Sequence, residues 1–187
     1  MVVNGSVNDP ASVYVYPGAV LAGEGSLGRV TVVGRLEPGD GTGILDVGAL
    51  TMATGSELAL ELGSASDYDR VRVGLNGGVT FQGQVKLTLS LLNGFDPADG
   101  IDSFEILQKD SPGGYTGFFT YGGFALAEGS LFSVGNQRFR ITYLGGDGND
   151  VVLTSVPEPS AGILLAAIGG GAAMRWRRRN RAVPHSR

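Results

Sequence analysis

The chemistry open to this chain is set first by what it lacks. It has no cysteine and one histidine, His185, close to the C-terminus. Thiol nucleophiles, Ser-His-Asp relays and zinc sites built on Cys or His are therefore closed to residues 1–155. Carboxylates are the catalytic groups that remain. Asp67 and Asp69 bracket Tyr68, and Asp96, Asp99 and Asp102 gather around Gly100. Paired carboxylates held about 5–9 Å apart across a cleft hydrolyse glycosides. The same aspartates stand in turn-like contexts, Phe95-Asp96-Pro97 and Ala98-Asp99-Gly100, where a short carboxylate caps a turn. Asp69, followed by Arg70 and Arg72, reads as a partner in surface ion pairs. Turn formation is the simpler reading, so no catalytic residue is assigned. A carbohydrate-binding or carbohydrate-active enzyme using paired Asp residues is the alternative function.

Two glycine-rich segments carry weaker signals. Gly145-Gly146-Asp147-Gly148-Asn149-Asp150 followed by Val151-Val152-Leu153 resembles the nonapeptide that binds calcium in β-roll proteins, where stacked copies share each ion. One copy is present. Asp147, Asn149 and Asp150 offer oxygen ligands, but calcium takes about six to eight. They form a weak calcium candidate, and a plain hairpin turn is the expected reading, with no metal and no cofactor. Gly39-Asp40-Gly41-Thr42-Gly43 lacks the Gly-Lys-Ser/Thr ending of a phosphate loop, and no helical pattern follows it.

The C-terminal residues point to sorting rather than catalysis. Val156-Pro157-Glu158-Pro159-Ser160 leads into residues 161–174, an uncharged apolar run. Arg175, Arg177, Arg178, Arg179 and Arg181 follow, interleaved with Trp176 and Asn180. Fourteen helical residues span roughly 21 Å, short of a bilayer core of about 30 Å. Ser160, Trp176 and the snorkelling arginine stems extend that reach, so a transmembrane helix is expected over residues 160–176. Its glycines, Gly162, Gly169, Gly170 and Gly171, make it a marginal anchor. The arginines should stay cytoplasmic and hold residues 1–160 outside.

Taken in order, these three parts resemble the PEP-CTERM sorting signal of Gram-negative bacteria. The resemblance covers residues 156–181; residues 182–187 extend beyond the usual arginine end. It implies recognition by an exosortase, a membrane-embedded cysteine transpeptidase. It also implies export and cleavage near Pro157-Glu158-Pro159. It further implies a precursor tethered to the inner membrane until that cleavage, then release or attachment at the cell surface, often alongside extracellular polysaccharide.

Charge agrees with an exterior location. Six of the fourteen basic residues lie at or beyond Arg175, so residues 1–160 carry eight basic against all eighteen acidic residues, a net charge of about −10. An acidic surface cannot neutralise phosphates, which argues against nucleic acid. Residues 1–30 show neither a basic n-region nor an apolar h-region. Export needs such a leader, so an N-terminally truncated sequence is expected.

The elements that must position these residues read as strands. Glycine is 32 of 187 residues without a three-residue period. It punctuates short alternating segments: Val13 and Val15, Val30 and Val32, Leu45 and Val47, Leu58 to Leu62, Val71 and Val73, and Val85 to Leu91. Strand starts recur about every thirteen to fifteen residues, with a shared apolar-x-apolar-Gly pattern. Leu45-Asp46-Val47-Gly48, Leu60-Glu61-Leu62-Gly63 and Val71-Arg72-Val73-Gly74 are the examples. Residues 1–155 should be all-β: a β-solenoid, like a parallel β-helix, closed by an antiparallel C-terminal hairpin cap, with a β-sandwich as alternative. Residues 102–107, 118–121, 124–126, 138–144 and 150–154 supply the later strands. Residues 37–43, 55–58, 66–71, 91–95 and 145–150, taken in order, are similar to passenger stalk repeats of autotransporter-type surface proteins, a likeness that covers most of residues 20–155. That likeness implies a β-helical stalk or adhesin-like surface role rather than an activity; a non-enzymatic cell-surface or extracellular-matrix protein is the expected function.

Overall fold

The computed structural model describes residues 1–74 and 77–157, the side chains of residues 8–11 excepted. The described chain is all-β, with 57% strand and one 3-10 turn at Leu92–Gly94, and no closed barrel. The first ten strands in chain order are β1 (Ser6–Val15), β2 (Val20–Gly23), β3 (Ser26–Val32), β4 (Arg35–Pro38), β5 (Ile44–Met52), β6 (Glu57–Leu62), β7 (Arg70–Val73), β8 (Val79–Phe81), β9 (Val85–Leu91) and β10 (Ser103–Lys109). The last five are β11 (Phe119–Tyr121), β12 (Phe124–Leu126), β13 (Leu131–Val134), β14 (Gln137–Gly145) and β15 (Asp150–Val156).

The chain alternates between two sheets. One runs β1-β3-β5-β7-β10-β15-β14-β13, with β8 also paired to β5. The other runs β12-β11-β9-β6-β4-β2. From β1 to β11 neighbouring strands within each sheet are parallel. Parallel neighbours need a crossover between them. Here the crossover is a strand of the opposite sheet rather than a helix.

Register explains the apolar alternation. Leu36 stands beside Leu21 and Leu58, and Leu58 beside Leu87, so one column of leucine runs through the second sheet. In the first sheet Leu50 pairs with Val30 and Val79, and Met52 with Val32 and Phe81. All of these are buried. The two sets meet in a single apolar core. Each inward residue thus packs beside its counterpart on the neighbouring strand, which fixes register because a one-residue slip would turn the whole set outward.

The outward positions stack as well. Asp46 lies beside Arg72, and the guanidinium donates through Nε at 2.7 Å and Nη2 at 2.9 Å to the two carboxylate oxygens. Two of the three apolar-x-apolar-Gly segments, at residues 45–48 and 71–74, are these adjacent rungs. The third, at residues 60–63, lies in the other sheet. The interval of thirteen to fifteen residues is therefore not the stacking interval: residues that stack, such as Leu36, Leu58 and Leu87, are much farther apart in sequence. Between these stacked strands the chain visits the other sheet, and the short strands β2, β4, β8 and β13 are found only in the structure.

After β11 the pairing reverses. β11 and β12 form an antiparallel hairpin, and β13, β14 and β15 form an antiparallel meander. Phe139, Ile141 and Tyr143 of β14 are buried, as their alternation predicts. β15 then inserts beside β10, antiparallel to it, so the last strand is an interior one. The helix expected over residues 160–176 lies outside the described residues. Among the described residues no helix is long and apolar enough to cross a membrane.

Candidate functional site

Three places collect the residues with chemical potential. The first is the buried carboxylate Asp69. It precedes β7 and is 1% exposed. Its Oδ1 accepts the Gly43 backbone N–H at 2.7 Å, and its Oδ2 accepts the Glu61 N–H at 2.7 Å. Burial pushes its pKa up to about 7; the two N–H donors oppose that rise, while the charges of Glu61 and Glu37 add to it. It lines a cleft of about 280 Å³ together with Glu37, Asp40, Glu61 and Ser90, and none of the lining residues is aromatic.

The alternative reading, Asp67 and Asp69 as a carboxylate pair across a cleft, is not what the geometry gives. Asp67 accepts the hydroxyl of Thr42 and does not line the Asp69 cleft. Nor does Asp69 form the surface ion pairs expected of it. Arg72 is taken by Asp46, and Arg70 lies 3.9 Å from Glu105. The sequence reading failed because strand alternation turns Arg70 and Arg72 away from the interior while the preceding residue is drawn in to cap two backbone donors. Glu61 comes near Asp69 through the turn after β6, where Leu62 and Tyr68 form an antiparallel bridge and the Asp69 N–H donates to Glu61 O at 2.9 Å, whereas Glu37, distant in sequence, arrives with β4, which pairs with β6. The later aspartates serve the loop before β10: Asp102 Oδ2 accepts the Ala98 N–H at 2.8 Å, Asp96 accepts the Gln137 amide, and Asp99 is exposed.

The second place is the β14–β15 turn. Asp147 is exposed, whereas Asn149 and Asp150 are 7% and 4% exposed. Asn149 donates from Nδ2 to Ser111 O at 2.9 Å, and the Tyr115 hydroxyl donates to the Asn149 carbonyl at 2.8 Å. Asp150 Oδ1 accepts the Lys109 N–H at 2.8 Å. Burial and a hydrogen bond with Asp150 push the Glu105 pKa up, opposed by Arg70. Gly146 has φ +55°, and a Cβ there would lie 1.8 Å from Asp150 Oδ2. Asn149 and Asp150 are thus not only turn formers: they fasten the hairpin to β10 and to residues 111–115. Among the described residues no group of three or more His, Cys, Asp or Glu side chains is placed to hold a metal.

The third place is the end of β15, where Val156 leads into Pro157-Glu158-Pro159. Ser155 is fully buried. Its N–H donates to Asp102 O at 3.0 Å, and its carbonyl accepts the Gly100 N–H at 2.9 Å. Its Oγ donates to Ala98 O at 2.5 Å and stands 3.3 Å from Asp102 O. Val156 lies opposite Arg138 of β14. The reading from sequence missed this clasp. Its signal was Ser155 itself, a polar residue continuing the inward series Val151 and Leu153. Lys109, 3% exposed after inward Leu107, is a second polar residue of this kind. Glu158, Pro159, Ser160, Arg175, Arg177, Arg178, Arg179 and Arg181 lie outside the described residues.

The family model described as the PEP-CTERM protein-sorting motif matches residues 155–179. No curated protein matches the chain. The chain therefore carries a signal that marks secretion or cell-surface export in Gram-negative bacteria and processing by exosortase, a membrane enzyme.

Proposed function

We propose that this chain is an exosortase substrate delivered to the cell surface or the extracellular matrix, where its β domain serves as a structural, adhesin-like element without enzymatic activity. The observation that carries the reading is the sorting motif at residues 155–179, joined directly to an all-β domain. The strand order supports a β-solenoid over a sandwich, since successive turns alternate between two parallel sheets. The same order supports the likeness to autotransporter-type stalks. The acidic balance of residues 1–160 suits an exterior surface and an extracellular polysaccharide neighbour bridged by cations. In the precursor, residues 160–176 form the inner-membrane tether, with the arginines on the cytoplasmic side.

The Asp69 cleft favours a second reading, a carbohydrate-active enzyme, because a carboxyl titrating near 7 beside other carboxylates has the proton-transfer properties of a general acid. We prefer the structural reading because both Asp69 oxygens are already engaged by backbone N–H groups. The test is fractionation of the native host with intact-mass analysis of the secreted protein. Loss of residues 177–181 and digestion of residues 1–155 by protease added to spheroplasts are expected. A secreted chain that retains residues 177–181, or a protected β domain, overturns the reading.

A further inference from the structure

We propose that Asn93 is a self-modifying site: its side-chain amide leaves as ammonia through a cyclic imide with Gly94, and position 93 then carries aspartate or isoaspartate. The chain has three Asn-Gly pairs, at residues 4–5, 76–77 and 93–94. A glycine after asparagine has no Cβ to shield its nitrogen from the neighbouring carboxamide, so all three are candidates by sequence. Asn76 lies outside the described residues. The fold separates the other two.

Asn93 is, among the described residues, the one non-glycine position with positive φ, at φ 50° and ψ 28°. The left-handed region is costly for a residue with a Cβ, and asparagine is one of the few that enter it. Gly94 follows at φ 72°. Both belong to a single 3-10 turn, Leu92–Gly94, with no side-chain cap and no buried residue. Both are exposed, and a Cβ built on Gly94 would meet nothing within 4 Å. Among the described residues the side-chain hydrogen bonds made by asparagine belong to Asn4 and Asn149, not to Asn93.

Asn4 is held where Asn93 is free to turn. Its Oδ1 accepts the Glu24 N–H at 3.3 Å. On one side the Val3 N–H donates to Ala22 O at 2.8 Å, and on the other Gly5 O accepts the Ser26 N–H at 3.1 Å. Bringing the Asn4 carboxamide onto the Gly5 nitrogen would break these bonds. Asn149 is buried, its Nδ2 is engaged by Ser111 O, and Asp150 follows it rather than glycine.

The reaction needs no partner but water. The ψ angle of Asn93 turns until Cγ faces the Gly94 nitrogen, at the cost of one exposed turn. That nitrogen adds to Cγ, the bond from Cγ to the side-chain nitrogen breaks, and the Gly94 N–H proton leaves with it as ammonia. Water then opens the imide. Breaking the new bond at Cγ restores the main chain with aspartate at position 93. Breaking the bond at the main-chain carbonyl instead routes the chain through Cγ as isoaspartate, one CH2 longer. Either product adds a negative charge to the segment that already holds Asp96, Asp99 and Asp102.

The test is peptide mass mapping of the purified full-length protein during incubation at neutral pH, with an enzymatic assay for isoaspartate. Asn93 should convert steadily to aspartate and isoaspartate while Asn4 and Asn149 keep their amides. In denaturant Asn4 and Asn93 should convert at similar rates, because the restraint on Asn4 is then gone. An intact Asn93 amide in the folded protein, or equal loss at Asn4 and Asn93 there, overturns the proposal. A preference for Asn93 that persists in denaturant overturns it too, since the fold would not be what selects the site.

Discussion

Asp69 holds Glu61 by its main chain: Oδ2 accepts the Glu61 N–H at 2.7 Å while Oδ1 takes Gly43 N–H from the loop before β5. One buried carboxyl thus ties residues from both sheets. Its pKa is raised from 3.8 to about 7, chiefly by burial. A carboxyl with a raised folded-state value contributes stability that is complete below its unfolded pKa. That contribution is lost as pH rises through the folded one. The domain should therefore lose stability between about pH 4 and pH 7, by an amount on the order of a few kcal/mol. Chemical denaturation across this range measures it. Asp69→Asn should flatten the profile; an unchanged slope in that variant would assign the pH dependence to other groups.

Asp150 plays a comparable part at the β14–β15 turn. It is 4% exposed, and its Oδ1 is the acceptor for the Lys109 backbone N–H. Asp150→Ala leaves that donor unsatisfied in the interior and should cost about 1–3 kcal/mol. The same substitution at an exposed turn aspartate, Asp147→Ala, should stay within about 0.5 kcal/mol. Thermal melting of the purified domain should be nearly the same in millimolar calcium and in chelator. A calcium-dependent rise that Asp150→Ala abolishes would show that the turn binds an ion.

The contrast between Asp147 and Asp150 shows how far the sequence could be read. Alternation at Val71 and Val73, or at Phe139, Ile141 and Tyr143, placed the core correctly because period two is a local property of a strand. The hairpin turn was legible for the same reason, since glycine and asparagine permit positive φ. What local pattern does not contain is which strand lies beside which. Glu105 and Asp150 meet because β15 returns to β10, and Glu37 nears Asp69 because β4 pairs with β6. The clasp on Ser155 depends likewise on residues 98–102, far upstream. The sorting tail was readable because its parts are contiguous and compositionally distinct. A charged residue in an apparent turn was misread wherever a distant backbone donor drew it inward.

Tyr143 joins the two sheets at the C-terminal end and gives the last prediction. Its hydroxyl accepts the Phe119 backbone N–H at 2.9 Å and donates to Leu126 O at 2.8 Å. β14 is thereby bonded to β11 and β12 of the opposite sheet. The ring also lies against Tyr115, Phe118 and Phe119 at centroid distances of 5.6 to 6.4 Å. Burial pushes the phenol pKa up, so the hydroxyl keeps its proton and remains a donor throughout the range in which the domain is handled. Tyr143→Phe preserves the ring packing and deletes only the oxygen. The Phe119 N–H and the Leu126 carbonyl are then left without this partner, at a cost of about 1–3 kcal/mol. The loss should be local. Hydrogen exchange at Phe119 should accelerate strongly in the variant, while Leu58 and Leu87, in the middle of the leucine column, keep most of their protection. Wild-type protection at Phe119 in Tyr143→Phe would mean that strand pairing alone holds β11, and that the hydroxyl does not couple the sheets.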